Sequence, residues 1–262
     1  MESSRKPAIV LVSGAWCVPA HYETLTGALE KAGYTVHVPA KPTCSGARPP
    51  TASFADDVGH IRNVVAALVE AGESVIMAMH SYGGAVGTEA LRDLTAPSRR
   101  ARGLAGGVVG LLYLCAYLLP AGWCVMDVVQ KAGGAELLAA GVEVADDGAC
   151  MLRDPVAALC HDLEDAAEQR RHAELLAWFP VAALEGKLTF EAWREVPTTY
   201  VRTTEDRCAP PAYQEVMLKE IQRNGGEIKE VTFQTSHAVF VLKAREIVEL
   251  VQDMARSDEK AA

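Results

Sequence analysis

The stretch Val75-Ile-Met-Ala-Met-His-Ser-Tyr-Gly-Gly84 decides how this chain reads. Its first five residues are apolar and suit a buried strand, whereas Ser81-Tyr-Gly-Gly84 is a small-residue turn that opens a helical pattern. Strand, sharp turn and helix in that order project the central serine at the top of a sheet, and nearby glycines remove the side chains that would clash there. Ser81 stands at that apex. The fit to G-x-S-x-G is partial, because Met79 replaces the first glycine while Gly83 and Gly84 keep the second half. A helix N-cap serine behind a buried strand is the competing reading of the same residues.

On either side of this segment, short apolar runs alternate with longer amphipathic ones. That rhythm is the signature of βαβ units and a parallel sheet covered on both faces. Strands are predicted at Ala8–Ser13, Thr35–Val38, Ser74–Met79, Val108–Leu114, Thr198–Thr203 and Glu230–Thr235. Helices are predicted at His21–Lys31, Phe54–Glu70, Gly84–Leu94, Pro211–Arg223 and Ala244–Ala255, each with apolar residues at three- and four-residue spacing. The fold class is therefore α/β, with a mostly parallel sheet of about six strands flanked by helices. From about Tyr117 to Glu195 no strand pattern emerges and helical stretches follow one another: Val125–Gln130, Ala135–Ala140, Pro155–Leu159, Leu163–Trp178 and Phe190–Arg194. A helical interruption between two strands builds a lid over the strand C-termini, where ligands bind in open sheets. We expect one domain over 1–262 with a helical cap at 117–195, inserted before the strand that carries the acid. The basic run Ser98-Arg-Arg-Ala-Arg102 reads as a solvated connection.

A serine hydroxyl near neutrality needs a base within reach, itself held by a carboxylate. At a strand–turn–helix serine these partners follow in the order acid, then histidine. Only His161, His172 and His237 come after Ser81. The first two fall on charged stretches of the cap and read as exposed. His237 follows the last predicted strand and precedes the last helix, which is where the chemistry places the base. The acid belongs at the end of the preceding strand, where Glu205 and Asp206 stand side by side. Asp206, closer to the proline turn, is preferred, and Glu205 is the alternative. The oxyanion needs two backbone N–H donors. Tyr82 follows the serine and supplies one, and the second comes from Ser13-Gly-Ala-Trp16, with Ala15 as donor and Gly14 allowing the close turn. Trp16, Tyr117, Trp178 and Phe179, with Gly14, are the candidate pocket walls.

With these segments placed, the chain resembles the α/β-hydrolase superfamily over nearly its full length. It is most similar to the branch of small single-domain members that contains plant methylesterases, hydroxynitrile lyases and microbial relatives. The residues that carry the resemblance are Val10-Leu-Val-Ser-Gly-Ala-Trp16, Met79-His-Ser-Tyr-Gly-Gly84, Leu114-Cys-Ala-Tyr-Leu-Leu-Pro-Ala-Gly122, Thr203-Thr-Glu-Asp-Arg-Cys-Ala-Pro210 and Ser236-His237. The resemblance implies Ser81, Asp206 and His237 as catalytic triad and the N–H groups of Ala15 and Tyr82 as oxyanion hole. It also disfavours lyase chemistry, because the plant lyases carry threonine and lysine where Gly14 and Ala238 stand. Ser13 departs from the histidine usual at its position.

The expected activity is serine hydrolysis of a carboxylic ester or lactone through an acyl-enzyme. Alternatives are a C–C bond hydrolase, lyase or cyclase using the same triad, and a non-catalytic ligand-binding protein on the same fold. The net charge of −9 and the pI of about 5.3 turn away polyanions, so neither nucleic acid nor an anionic membrane is an expected partner. A small, neutral, hydrophobic substrate is expected, and a homodimer stays open. The seven cysteines show no metal spacing and read as free thiols of a reducing compartment, with Cys17 and Cys208 near the site. No metal or organic cofactor is implied. The polar start Met1-Glu-Ser-Ser-Arg-Lys lacks a secretory pattern and points to the cytoplasm.

Overall fold

The computed structural model describes residues 6–261, so the Met1–Arg5 part of the polar start lies outside the described residues. A six-stranded, all-parallel sheet forms the centre, in the order β2-β1-β3-β4-β8-β9. The inner strands β1 (Ala8–Val12), β3 (Ser74–His80) and β4 (Gly107–Leu114) are almost wholly buried, as uninterrupted apolar runs require when helices cover both faces. Edge strand β2 is only Val36–His37. Strand β8 spans Thr198–Thr203 and the far edge strand β9 spans Ile228–Phe233, two residues before its predicted place. A shift of two preserves which residues face the core, because side chains alternate with period two.

Around the sheet pack α1 (Glu23–Lys31), α2 (Phe54–Glu70), α3 (Gly83–Glu89), α9 (Pro211–Arg223) and, after the short α10 (Val239–Leu242), α11 (Ala244–Ala261). Helix α2 begins where predicted because Ser53 caps it, accepting from the Asp56 N–H while the Asp56 carboxylate accepts the Ser53 N–H in return. The basic run is not a solvated connection. It forms α4 (Ala96–Ala101), capped by Thr95, and turns Arg99 inward to donate to the carbonyls of Val69, Ala105 and Gly106. Arg99 is buried with its guanidinium hydrogen-bonded to these carbonyls, which supplies the partners that a buried donor requires.

Between β4 and β8 lie the expected helices, α5 (Val125–Lys131), α6 (Ala135–Gly141), α7 (Pro155–Leu159) and α8 (Ala166–Glu174). They share this interval with a three-stranded antiparallel sheet that the sequence reading did not foresee: β5 (Val142–Val144), β6 (Ala149–Leu152) and β7 (Phe179–Pro180). Strands of two to four residues are too short for an alternating pattern to stand out. Two contacts tie this segment to the loop after β1: the Trp16 indole donates to the Cys150 carbonyl at 3.0 Å, and Ala177 N–H donates to the Trp16 carbonyl at 2.8 Å. Among the described residues, no helix is long and apolar enough to cross a membrane.

Candidate active site

Ser81 lies between the end of β3 and the start of α3, with φ at 54°. A non-glycine residue in the left-handed region is strained and persists only where surroundings enforce it. Here the neighbours are crowded on every side. A Cβ on Gly83 would lie 2.3 Å from the Val12 carbonyl, and one on Gly84 would lie 2.7 Å from the Tyr117 carbonyl. Both glycines let α3 press against the backbones of the flanking loops, and the Tyr117 N–H in turn holds the Ser81 carbonyl at 3.0 Å. The departure at Met79 is accommodated one turn along α3, since a Cβ on Gly87 would meet Met79 Sδ at 2.5 Å. The large residue that replaces the motif's first glycine thus uses the space that a second glycine leaves.

Asp206 and His237 meet as expected. His237 Nδ1 lies 2.7 Å from Asp206 Oδ2, and both side chains are shut off from solvent. Asp206 also accepts from the Thr203 hydroxyl at 2.8 Å and from the N–H groups of Cys208 and Ala209 at 2.9 and 2.7 Å. These donors hold the carboxylate in place with Oδ2 aimed at the imidazole. Glu205, the alternative acid, is exposed and accepts from the Gln234 side chain instead. Burial alone favours neutral His237, but the adjacent Asp206 carboxylate prevails and holds its pKa well above the ordinary histidine value. The interval between β4 and β8 steadies this loop, because Ser236 donates its N–H to Asp162 at 2.6 Å and its hydroxyl to the Leu159 carbonyl at 3.0 Å.

A chain of hydrogen bonds joins the three loops. Gly14 N–H donates to the Tyr22 hydroxyl at 2.9 Å, the hydroxyl lies 2.8 Å from His80 Nδ1, and His80 Nε2 lies 3.1 Å from the His237 carbonyl. The hydroxyl accepts from Gly14, so its single O–H donates to Nδ1, and Nε2–H donates to the carbonyl. His80 is therefore the neutral Nε2–H tautomer, consistent with burial driving its pKa well below the ordinary value. His80, Cys115 and His237 bring nitrogen and sulfur atoms within 4.8 Å of one another. Their existing bonds already account for that grouping, since Cys115 Sγ donates to the His237 carbonyl and both His80 nitrogens are engaged.

The N–H groups of Ala15 and Tyr82 find no acceptor among the described residues, and both residues line the same cavity as Ser81. The Ser81 hydroxyl also makes no hydrogen bond to a described side chain, leaving it open to that cavity of about 90 Å³. Trp16 and Tyr117 line it as expected. Gly14, Trp178 and Phe179 do not. Phe179 is fully buried behind the wall, with its ring 5.8 Å from Trp16 and 5.1 Å from Tyr82. Trp178 turns outward under Arg48, whose guanidinium sits 4.0 Å from the ring centre. Gly14 packs underneath, where a Cβ would come within 3.0 Å of both His80 Nδ1 and Ser81 Cβ. Further walls come from α5, α6, β5 and the loop after β8, through residues such as Val129, Leu138, Val142, Arg207 and Cys208. The apolar faces of α5 and α6 were the available signal for them.

Cys208 faces this cavity, whereas Cys17 is buried behind His237 with its thiol pushed by burial up to about 12, so it is no nucleophile. His172 is not on the surface. It is buried against His21 and Phe240, with its carbonyl 3.0 Å from His21 Nε2, because α8 lays this face against the loop after β1.

Lys41 adjoins the candidate site and was missed by sequence reading. Only 2% exposed, its ammonium donates to Ser13 Oγ at 2.6 Å, to the Gly14 carbonyl at 2.9 Å and to Cys44 Sγ at 3.3 Å. Ser13 stands where relatives of this pattern carry histidine, and here it serves as an acceptor for the lysine. Taking an ammonium out of water costs several kcal/mol, which its hydrogen bonds must offset. Stability alone therefore does not explain Lys41.

A model of the alpha/beta hydrolase family matches residues 9–250. The chain is 28% identical over 257 residues to the alpha/beta hydrolase nvfD of Aspergillus novofumigatus, covering 95% of this chain and 97% of that protein. It is 26% identical over 254 residues to the probable hydrolase R7 of Phoma sp., covering 95% and 98%. Among solved structures, a pyrethroid hydrolase from Sphingobium faniae JZ-2 aligns with a TM-score of 0.74 at 22% identity, covering 97% of this chain and 99% of that one. Polyneuridine aldehyde esterase aligns at 0.75 and 16% identity, covering 95% and 99%. Likeness at these identities shows a shared fold.

Proposed function

The chain belongs to the alpha/beta hydrolase family, and on that premise we propose that it is a serine carboxylic-ester or lactone hydrolase with Ser81 as nucleophile, His237 as general base and Asp206 as the group that orients the base. The observation that carries this reading is the 2.7 Å contact between His237 Nδ1 and the buried Asp206 carboxylate, beside a serine held at φ 54°.

In the proposed reaction Ser81 Oγ attacks the substrate carbonyl carbon and its proton passes to His237 Nε2. Asp206 keeps Nδ1 as the N–H end of the ring, so Nε2 is the basic nitrogen. The carbonyl electron pair moves onto oxygen, which receives the N–H groups of Ala15 and Tyr82. Collapse of this intermediate expels the alcohol, which takes the proton from His237 and leaves an acyl-enzyme. Water then repeats the sequence and releases the acid. The free Ser81 hydroxyl accords with a resting site, because such contacts tighten when substrate binds. The largely apolar walls favour a neutral, hydrophobic acyl or alcohol group. Gly14 supports ester hydrolysis over lyase chemistry, since the side chain that the plant lyases carry there is absent and a Cβ would press on His80 Nδ1 and Ser81 Cβ at 3.0 Å.

The pH profile tests this reading. The base must be neutral, and His237 is held above the ordinary histidine value of about 6.5. Hydrolysis of p-nitrophenyl esters, followed as kcat/KM, is expected to be lost as pH falls through a single step lying above that value. A flat profile from pH 5 to 9 would remove His237 from the role of base.

A further inference from the structure

We infer that Lys41 is a positioning residue for the oxyanion hole, holding and polarising the Gly14–Ala15 peptide so that the Ala15 N–H meets the developing negative charge. The inference rests on the proposed reading of Ser81 as nucleophile with Ala15 and Tyr82 as donors. Its geometry is independent of that reading. The carbonyl that accepts from Lys41 at 2.9 Å belongs to Gly14, and the same peptide bond carries the Ala15 N–H. Resonance across that bond couples its two ends, so a cation on the oxygen draws electron density from nitrogen and strengthens the N–H as a donor.

The second contact acts on the same loop. Lys41 donates to Ser13 Oγ at 2.6 Å and so grips two successive residues leading into Ala15, fixing the plane of the peptide. The ammonium also lies 5.9 Å from the ring centre of Tyr82, at the outer range for a cation over an aromatic face. The anchor beneath Lys41 is rigid. Thr43 donates its N–H and hydroxyl to Asp57 at 3.0 and 2.6 Å, binding the turn that carries the lysine to α2. Among the described residues no carboxylate lies within 4.0 Å of the ammonium; the buried Asp57 carboxylate acts on it from beyond that distance and is itself held by the Thr43 N–H and hydroxyl. With Ser13 Oγ, the Gly14 carbonyl and Cys44 Sγ, three acceptors take up its three protons. A buried, hydrogen-bonded, close-pair-free cation directed at an oxyanion loop favours a state that is negative there.

The test compares wild type with Lys41→Met for ester turnover and for inhibition by an alkyl trifluoromethyl ketone. The ketone reports the hole directly. Ser81 Oγ bonds to its carbonyl carbon, the π bond opens onto oxygen as an anion, and the serine proton goes to His237. Lys41→Met is expected to lower kcat roughly 10- to 100-fold, less than the loss of a direct oxyanion donor. It should weaken ketone binding by the same factor and leave KM within about twofold, because neutral ground-state ester does not use the hole. Lys41→Gln keeps N–H donors to the loop without the charge and is the second variant should Lys41→Met not accumulate as folded protein. It is expected to show the same matched losses. Folded variants with wild-type kcat and ketone affinity overturn the inference, as does a change confined to KM. If wild type itself neither turns over esters nor binds the ketone, the hydrolase reading fails and carries the Lys41 role with it.

Discussion

Replacing His237 by alanine is expected to lower kcat for ester hydrolysis by roughly 10⁶-fold, the scale seen when a triad's base is removed. The size follows from its position. No other described side chain near Ser81 can take the proton: His80 has both nitrogens engaged, one by Tyr22 and one by the His237 carbonyl, and burial keeps it from protonating. The variant should still fold, because Asp206 keeps the Thr203 hydroxyl and the Cys208 and Ala209 N–H groups as donors when the imidazole is gone. Circular dichroism and thermal melting identify the folded variant, and initial rates with p-nitrophenyl butyrate measure the loss. A folded variant within 100-fold of wild type contradicts the assignment.

Asp206→Asn should lower kcat by about 10⁴-fold, with Glu205→Gln as a control that changes it less than about twofold. Asparagine fits the same volume and its oxygen can still accept from Cys208 and Ala209. Its amide nitrogen, however, presents protons to His237 Nδ1 and to the Thr203 hydroxyl, where the carboxylate accepted. The ring is then driven to the tautomer that leaves Nε2 protonated and unable to take the serine proton. Loss of the carboxylate charge also lowers the His237 pKa, so the residual activity should persist to lower pH than in wild type. Equal losses in Asp206→Asn and Glu205→Gln would mean that the acid has been misplaced. Glu205 is exposed, which is why its charge does little for a buried imidazole.

The parts of this site that sequence reading found share one property: each is a local pattern at a strand end. The elbow at Ser81, the acid after β8 and the histidine after β9 sit where an apolar run meets a turn, and topology then brings those ends together. Asp206 could be preferred over Glu205 from the proline turn that follows, although only packing shows that Asp206 is buried. The pocket walls were less legible because they come from a segment whose strands are a few residues long and whose helices are short, so an apolar face there does not say whether it lines a cavity or packs in the core. Phe179 illustrates the difficulty, since an aromatic residue near a site looks the same in sequence whether it faces the cavity or supports the residue that does. Lys41 was invisible for a related reason. In the proline-rich Val38-Pro-Ala-Lys-Pro-Thr43 a lysine reads as solvated loop, and its burial depends on acceptors 27 and 28 residues away. His172 and Arg99 follow the same rule: a charged neighbourhood in sequence does not reveal a buried face when what it packs on, the His21 and Phe240 rings or the Val69 carbonyl, lies far along the chain.

The most direct test of the account is intact-mass analysis after reaction with a fluorophosphonate probe, on wild type and Ser81→Ala. The phosphonate is expected to add once per wild-type chain, with peptide mapping to Ser81, and to be absent from the folded alanine variant. A well-folded wild type that takes no label, or a label that survives Ser81→Ala, would contradict the central claim that Ser81 is an activated nucleophile.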